Sequence, residues 1–243
     1  QGARFDDITL ADYDMTTAED SPEVVVMSPS GSQVAELAEL NWASGYSNIL
    51  APNSNSVWQV VGSNSTLSAT SPITLRWDNG QGFVFYQKIT IDENYLIGVE
   101  QSIENTSNQN GMFSPYGLVS KSESSDADHP LAFVHTGAIG VVEDSVEKAT
   151  YDKLRKEGAI KYDNAKGWIG LTDKYWLKAL IPSNGENFKA NFRYKNKNGN
   201  EKFQVDYIGE QMQIIPGTTI SYKTKLFLGA KELNLLEDYS DKY

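Results

Sequence analysis

Apolar and polar residues alternate with a period of two along most of this chain. The alternation is clearest between Ile73 and Ile103. Ile73, Leu75 and Trp77 alternate with Thr74 and Arg76, Phe83, Phe85, Ile89 and Ile91 resume the pattern, and a third run covers residues 96–103 after the turn Asp92-Glu93-Asn94. Successive side chains of a β-strand point to opposite faces, so these runs predict an antiparallel meander. Asn79-Gly80 lies at its first corner, and Asn-Gly suits a tight hairpin because both residues tolerate positive φ. The pair recurs at 110, 184 and 198, and Lys197-Asn198-Gly199-Asn200 separates predicted strands at 188–194 and 203–208.

The remaining stretches extend the picture. Residues 4–13 read as a half-buried strand, 14–22 as a polar loop, and 24–27 as a β-branched strand closed by Ser28-Pro29-Ser30-Gly31. Residues 33–42 contain VAELAEL, which fits a helical turn or two, but the flanks favour a strand. Residues 45–57, rich in Ser and Asn, form a loop ending at Trp58, and 62–66 a further loop or weak edge strand. Residues 146–158 break the alternation, and YDKLRKEG within them, with helix-forming residues and a glycine stop, predicts a short surface helix. A last long strand covers 218–228. From Ala230 onward Leu233, Leu236 and Tyr239 recur every third residue, which predicts a terminal helix over 230–239 with those side chains packed on the sheets.

The stretch from Gly167 to Pro182 is the centre of the pattern. Trp168, Ile169 and Leu171 form one apolar run, Asp173 and Lys174 interrupt it, and Tyr175, Leu177, Ala179 and Ile181 then alternate with Trp176, Lys178 and Leu180. The second half is apolar on one face and, except for Lys178, on the other. Such a strand has protein packed on both sides and belongs near the middle of a large sheet. The expected fold class is all-β: a large antiparallel β-sandwich with short helices, strands spanning about 4–229, in one domain over 1–243.

Composition narrows the function classes. A chain of 243 residues buries roughly three quarters of its unfolded surface as one domain or two small ones. Its 32 acidic and 21 basic residues leave a net charge of -11, which repels nucleic acids and anionic lipid headgroups. The absence of cysteine excludes disulfides, thiolate metal sites and a cysteine nucleophile. No apolar run approaches the ~20 residues of a membrane-spanning helix, and no signal peptide is recognisable.

Candidate chemistry is sparse. His129, with Asp126 and Asp128, stands in a loop rich in oxygen and nitrogen donors, but its spacing matches no metal site. His135 ends the apolar run 131–134 and reads as a strand-end histidine. Asp173 is the carboxylate to watch, because it lies in the central hairpin; a turn-forming role is the simpler reading. The motifs of serine hydrolases, zinc proteases, phosphate-binding loops and dinucleotide-binding folds do not occur, and no cofactor is implied. Aromatic residues are the best argument for binding. Trp77, Trp168 and Trp176 fall at strand positions expected in the core, whereas Trp42, Tyr46 and Trp58 flank loops and are expected to be exposed.

Three segments carry a family resemblance. Gly167-Trp168-Ile169-Gly170-Leu171-Thr172-Asp173-Lys174-Tyr175-Trp176 followed by Ala179-Leu180-Ile181-Pro182, then Trp77-Asp78-Asn79-Gly80-Gln81-Gly82, and Leu226-Phe227-Leu228-Gly229-Ala230-Lys231-Glu232 all resemble the large periplasmic domain of the YidC-type membrane protein insertases. They occur in the family's order, and the similarity runs from about Arg4 to the last residue. The resemblance implies a β-supersandwich related to galactose-mutarotase folds, with helical elements at its carboxyl end. It implies a non-catalytic domain on the periplasmic face of the bacterial inner membrane, in a multi-pass protein whose membrane helices would lie outside 1–243. The implied partners are SecD/SecF, other Sec translocon components and nascent membrane proteins, with contact expected near residues 117–168. Candidate partner or cleft contacts are Trp42, Tyr46, Trp58, Tyr116, His135, Tyr151, Trp168 and Asp173. The competing expectation is a carbohydrate-binding or aldose-epimerase-like sandwich, in which His135 would face a carboxylate in a cleft.

Overall fold

In the computed structural model, which describes residues 1–124, 135–142, 145–182 and 187–232, the period-two stretches are strands. The first is split in two, β1 (Arg4–Phe5) and β2 (Ile8–Asp14). They are followed by β3 (Glu23–Met27), β4 (Val34–Ser44) and β5 (Gln59–Val60). The meander is β6 (Ile73–Asp78), β7 (Phe83–Ile91) and β8 (Leu96–Asn105), and β9 (Gly111–Ser124) is the longest strand. Then come β10 (Gly137–Val142), β11 (Ser145–Thr150), α1 (Tyr151–Glu157) and β12 (Ala159–Ala165). The central hairpin is β13 (Gly167–Thr172) and β14 (Trp176–Pro182). Last are β15 (Phe188–Lys197), β16 (Asn200–Gly209), β17 (Met212–Ile214) and β18 (Thr219–Ala230).

These strands make two large antiparallel sheets. One has seven strands, in the order β1-β4-β9-β16-β15-β12 with β17 also on β9; the other has nine, in the order β11-β10-β13-β14-β18-β8-β7-β6-β5. β2 and β3 pair apart, as a two-stranded hairpin. The inward faces of the large sheets interdigitate as sandwich packing requires. Phe113 of the seven-stranded sheet meets Phe83 and Phe85 of the other edge-on, with ring centroids 5.4 and 5.5 Å apart. The Gln87 side chain donates to the Leu40 carbonyl across the interface at 2.7 Å, and the Tyr207 and Thr224 hydroxyls meet at 2.5 Å.

The central hairpin stands as its pattern predicts. β14 lies fourth of nine strands, between β13 and β18. Ala179 and Leu180 are buried, and a second apolar cluster of Leu96, Leu177, Ala179 and Phe227 covers the sheet's outer side. The glycines of the Gly-Trp-Ile-Gly motif have a steric cause. A Cβ on Gly167, which holds φ at 100°, would stand 2.4 Å from the Val141 carbonyl oxygen, and one on Gly170 would stand 2.4 Å from that of Lys178. Only glycine lets the neighbouring backbones approach so closely.

Several expectations are corrected. Trp42 is 1 % exposed rather than a loop-flanking surface residue, because β4 runs on to Ser44 and keeps Trp42 in phase with the buried Ala38 and Leu40. Trp58, Trp77, Trp168 and Trp176 are half-buried, and Tyr46 is 43 % exposed as expected. The short helix expected in YDKLRKEG is present as Tyr151–Glu157, and residues 145–150 before it pair with β10. Thr150 caps it by accepting from the Lys153 N–H, and Gly158 ends it at φ 75°.

Asn79-Gly80 is not a two-residue turn either: only Gly80 has positive φ, and the Asn79 side chain instead accepts from the N–H groups of Gln81 and Phe83. Asn198-Gly199 is one, with φ of 55° and 81°. Ala230, expected to begin a helix, is the last residue of β18. Leu233, Leu236 and Tyr239, the Asn184-Gly185 corner, and His129 with Asp126 and Asp128 lie outside the described residues.

Candidate functional site: an ion cluster between the sheets and the end of the last strand

Lys178, the one polar residue on the inward face of β14, is the centre of a buried network. Its Nζ lies 2.5 Å from Glu36 Oε2 on β4 of the opposite sheet and 3.4 Å from Asp173 Oδ2 in the β13–β14 turn. Asp173 Oδ1 also meets Lys121 Nζ of β9 at 3.4 Å, and Lys121 meets Glu123 at 3.3 Å. The Tyr151 hydroxyl, at the start of α1, donates to the same Asp173 oxygen at 3.4 Å. Lys178, Glu36 and Glu123 are 3, 8 and 4 % exposed, so the charges neutralise one another away from bulk water.

The titration shifts follow from that packing. Burial alone would raise the Asp173 carboxyl, but the ammonium groups of Lys178 and Lys121 outweigh it and hold the group below the ordinary carboxylate range. Burial works against the Lys121 ammonium, yet Asp173 and Glu123 raise it above its ordinary value. The Tyr151 phenol is pushed up by burial first and by Asp173 second. Asp173 has a lower pKa folded than unfolded, so its contribution to stability is present above about pH 4 and is lost as the pH falls below that. Urea titrations at pH 7 and pH 3 should therefore show a smaller acid loss for Asp173→Asn than for the unaltered chain; equal losses would contradict the assignment.

A second ionic set fastens α1. The Arg155 guanidinium is bidentate on Glu201, with Nε at 3.0 Å and a terminal nitrogen at 2.7 Å, and also reaches Asp152 at 2.8 Å. The Tyr194 hydroxyl donates to Glu201 at 2.6 Å.

The end of β18 is held on the same side of the sandwich. Beyond Ala230, the Lys231 N–H donates to the Tyr175 carbonyl at 2.9 Å and its Nζ to the Asp173 carbonyl at 2.6 Å. The Tyr13 hydroxyl donates to Glu232, which raises the phenol to about 12. The Tyr95 hydroxyl donates to Asp12 at 2.6 Å.

Among the sequence-predicted site residues, Tyr151 and Asp173 come together and the others do not join them. The half-buried Tyr116 hydroxyl donates to Glu39 at 2.5 Å. Trp168 packs on the outer apolar cluster, and Trp58 stands 6.5 Å from Trp77. His135 Nε2 lies 3.0 Å from the Ala138 carbonyl, and burial lowers its pKa, with Lys148 and Lys231 adding to the effect. Among the described residues no group of His, Asp or Glu is placed to hold a metal ion.

Two clefts, of about 310 and 230 Å³, share Asp163 and Asn164 at the β12 bulge. Neither is lined by any of those predicted residues. Sequence reading missed Glu36, Lys121, Glu123, Tyr13, Tyr95 and Lys231. The first three had a signal: each is a charge in the inward phase of its strand, Glu36 with Leu40 and Trp42, Lys121 and Glu123 with Val119.

Two antiparallel sheets locked by paired charges, without a helix among the described residues long and apolar enough to cross a membrane, define a β-sandwich scaffold. The chain belongs to the YidC periplasmic domain family, whose model matches residues 1–243. Similar curated proteins are the membrane protein insertases YidC of Rickettsia bellii, 38 % identical over 244 residues, and of Rickettsia felis and Rickettsia prowazekii, each 36 % identical. Each match covers 100 % of this chain and 43 % of the relative, so the chain spans less than half the length of these proteins. Among solved structures, two of the GH36 α-galactosidase AgaA of Geobacillus stearothermophilus align at TM-scores of 0.46 and 0.45, with 13 and 12 % identity. They cover 82 and 95 % of this chain and 33 and 36 % of the enzyme, a likeness too remote to carry an argument about sugars.

Proposed function

We propose that this chain is a non-catalytic periplasmic domain of an inner-membrane protein insertase, folding as one unit over 1–243 and contributing contacts to SecD/SecF or to nascent membrane proteins. The whole-chain family match, at 38 % identity to an insertase of Rickettsia bellii, carries this reading. The site chemistry agrees with it: Asp173, Lys178 and Glu36 are spent on one another, and His135 bonds a main-chain carbonyl. Partner contact is expected near residues 117–168, where β11 is the edge of the nine-stranded sheet among the described residues and exposes Val146 and Lys148.

The test is recovery of SecD/SecF from a detergent extract on the immobilised chain, unaltered and with Val146→Ser/Lys148→Glu. Lower recovery on the altered chain supports the assignment. Equal recovery removes the contact region, and no recovery on either removes the partner.

A further inference from the structure

The last described residues lie where three distant parts of the chain converge. Residues 228–232 are bonded by main chain to Tyr95 (Leu228 N–H to its carbonyl, 3.2 Å) and to Tyr175. They are bonded by side chain to Asp173 and Tyr13. Tyr13 stands edge-on to Trp176 with centroids 5.4 Å apart and tilted against Tyr95 at 6.0 Å. Tyr95 itself holds φ at 69°, a conformation unfavourable for a bulky residue, and persists there with its hydroxyl on Asp12. Tyr13 and Asp12 belong to β2, part of the hairpin that is in neither large sheet.

The Asp173–Tyr175 turn faces two ways. Its carboxylate points inward to Lys121 and Lys178, while its carbonyls face Lys231. The bonds gripping residue 231 thus rest on the ion cluster that ties the two sheets together.

We propose that the β2–β3 hairpin is a strap across the end of β18: Tyr13, packed on Tyr95 and Trp176, clasps Glu232 while the Asp173 turn clasps Lys231, so that residues 231–232 are held against the sandwich beyond the last rung of the sheet. Releasing the strap frees residues 231–232 without unfolding the sandwich, because the β14–β18 ladder holds up to the pairing of Trp176 with Ala230. The strap makes no use of any partner, so it stands or falls independently of SecD/SecF binding.

The test is amide hydrogen exchange across residues 226–232 of the full chain, with urea unfolding as the global readout. The variants are Tyr13→Phe, which keeps the ring and removes the hydroxyl, Lys231→Met, which keeps the stem and removes the amine, and the two combined. The strap predicts protection of the Lys231 amide in the unaltered chain. It also predicts exchange at least about tenfold faster there in the double variant, with residues 226–228 and the urea midpoint unchanged. An unprotected Lys231 amide in the unaltered chain overturns the proposal. So does unchanged exchange in the double variant, or an acceleration spread evenly over the whole of β18.

Discussion

Lys178→Met is expected to lower the unfolding free energy by about 3–5 kcal/mol, because it leaves the buried Glu36 carboxylate without its cation, while Asp173 keeps Lys121. Glu36 cannot turn to water without opening the interface, because it is 8 % exposed and comes from the opposite sheet. The loss should appear as a lower urea midpoint with an unchanged slope. The double variant Lys178→Met/Glu36→Leu should recover most of it, since an apolar pair of similar volume carries no desolvation cost there. A single-variant loss under about 1 kcal/mol would mean that water reaches the cluster and screens it.

Trp42→Ala should cost a comparable amount, about 3–5 kcal/mol, from lost burial plus the cavity left behind. Trp42 is among the largest fully buried side chains, and β9 and β1 flank its strand, so the site has little room to collapse. Tyr46→Ala, four positions on and 43 % exposed, should stay within about 0.5 kcal/mol. The pair tests where β4 ends. Equal effects on thermal midpoint would return Trp42 to the exposed position expected from the Ser- and Asn-rich loop that follows it.

The architecture was legible wherever alternation was strong. The meander, the central hairpin and the Asn198-Gly199 corner all follow from period-two patterns and turn chemistry that act over a few residues. Boundaries were harder, because pairing partners set them: β4 extends to Ser44 through its pairing with β9, and residues 145–150, where the alternation breaks down, become a strand through their pairing with β10. The ion cluster was half legible. Lys178 stood out as a charge in an apolar run, but its partners lie 142 and 5 residues away. Local pattern alone does not show which inward charge meets which. The grip on residues 231–232 was not legible at all, since Tyr13, Tyr95 and Lys231 look like ordinary surface residues until the topology brings them together.

The position of β18 has a consequence for how the chain is made. It is the last strand in sequence among the described residues, yet it stands between β14 and β8, so the nine-stranded sheet cannot join its two halves until residue 230 is available. A ribosome delivers the amino end first, at roughly 5–20 residues per second, so the early strands wait for their partner for on the order of ten seconds or more. During that interval the edge of β8 is bare and open to wrong pairing. Completion of the nine-stranded sheet is thereby tied to the arrival of β18.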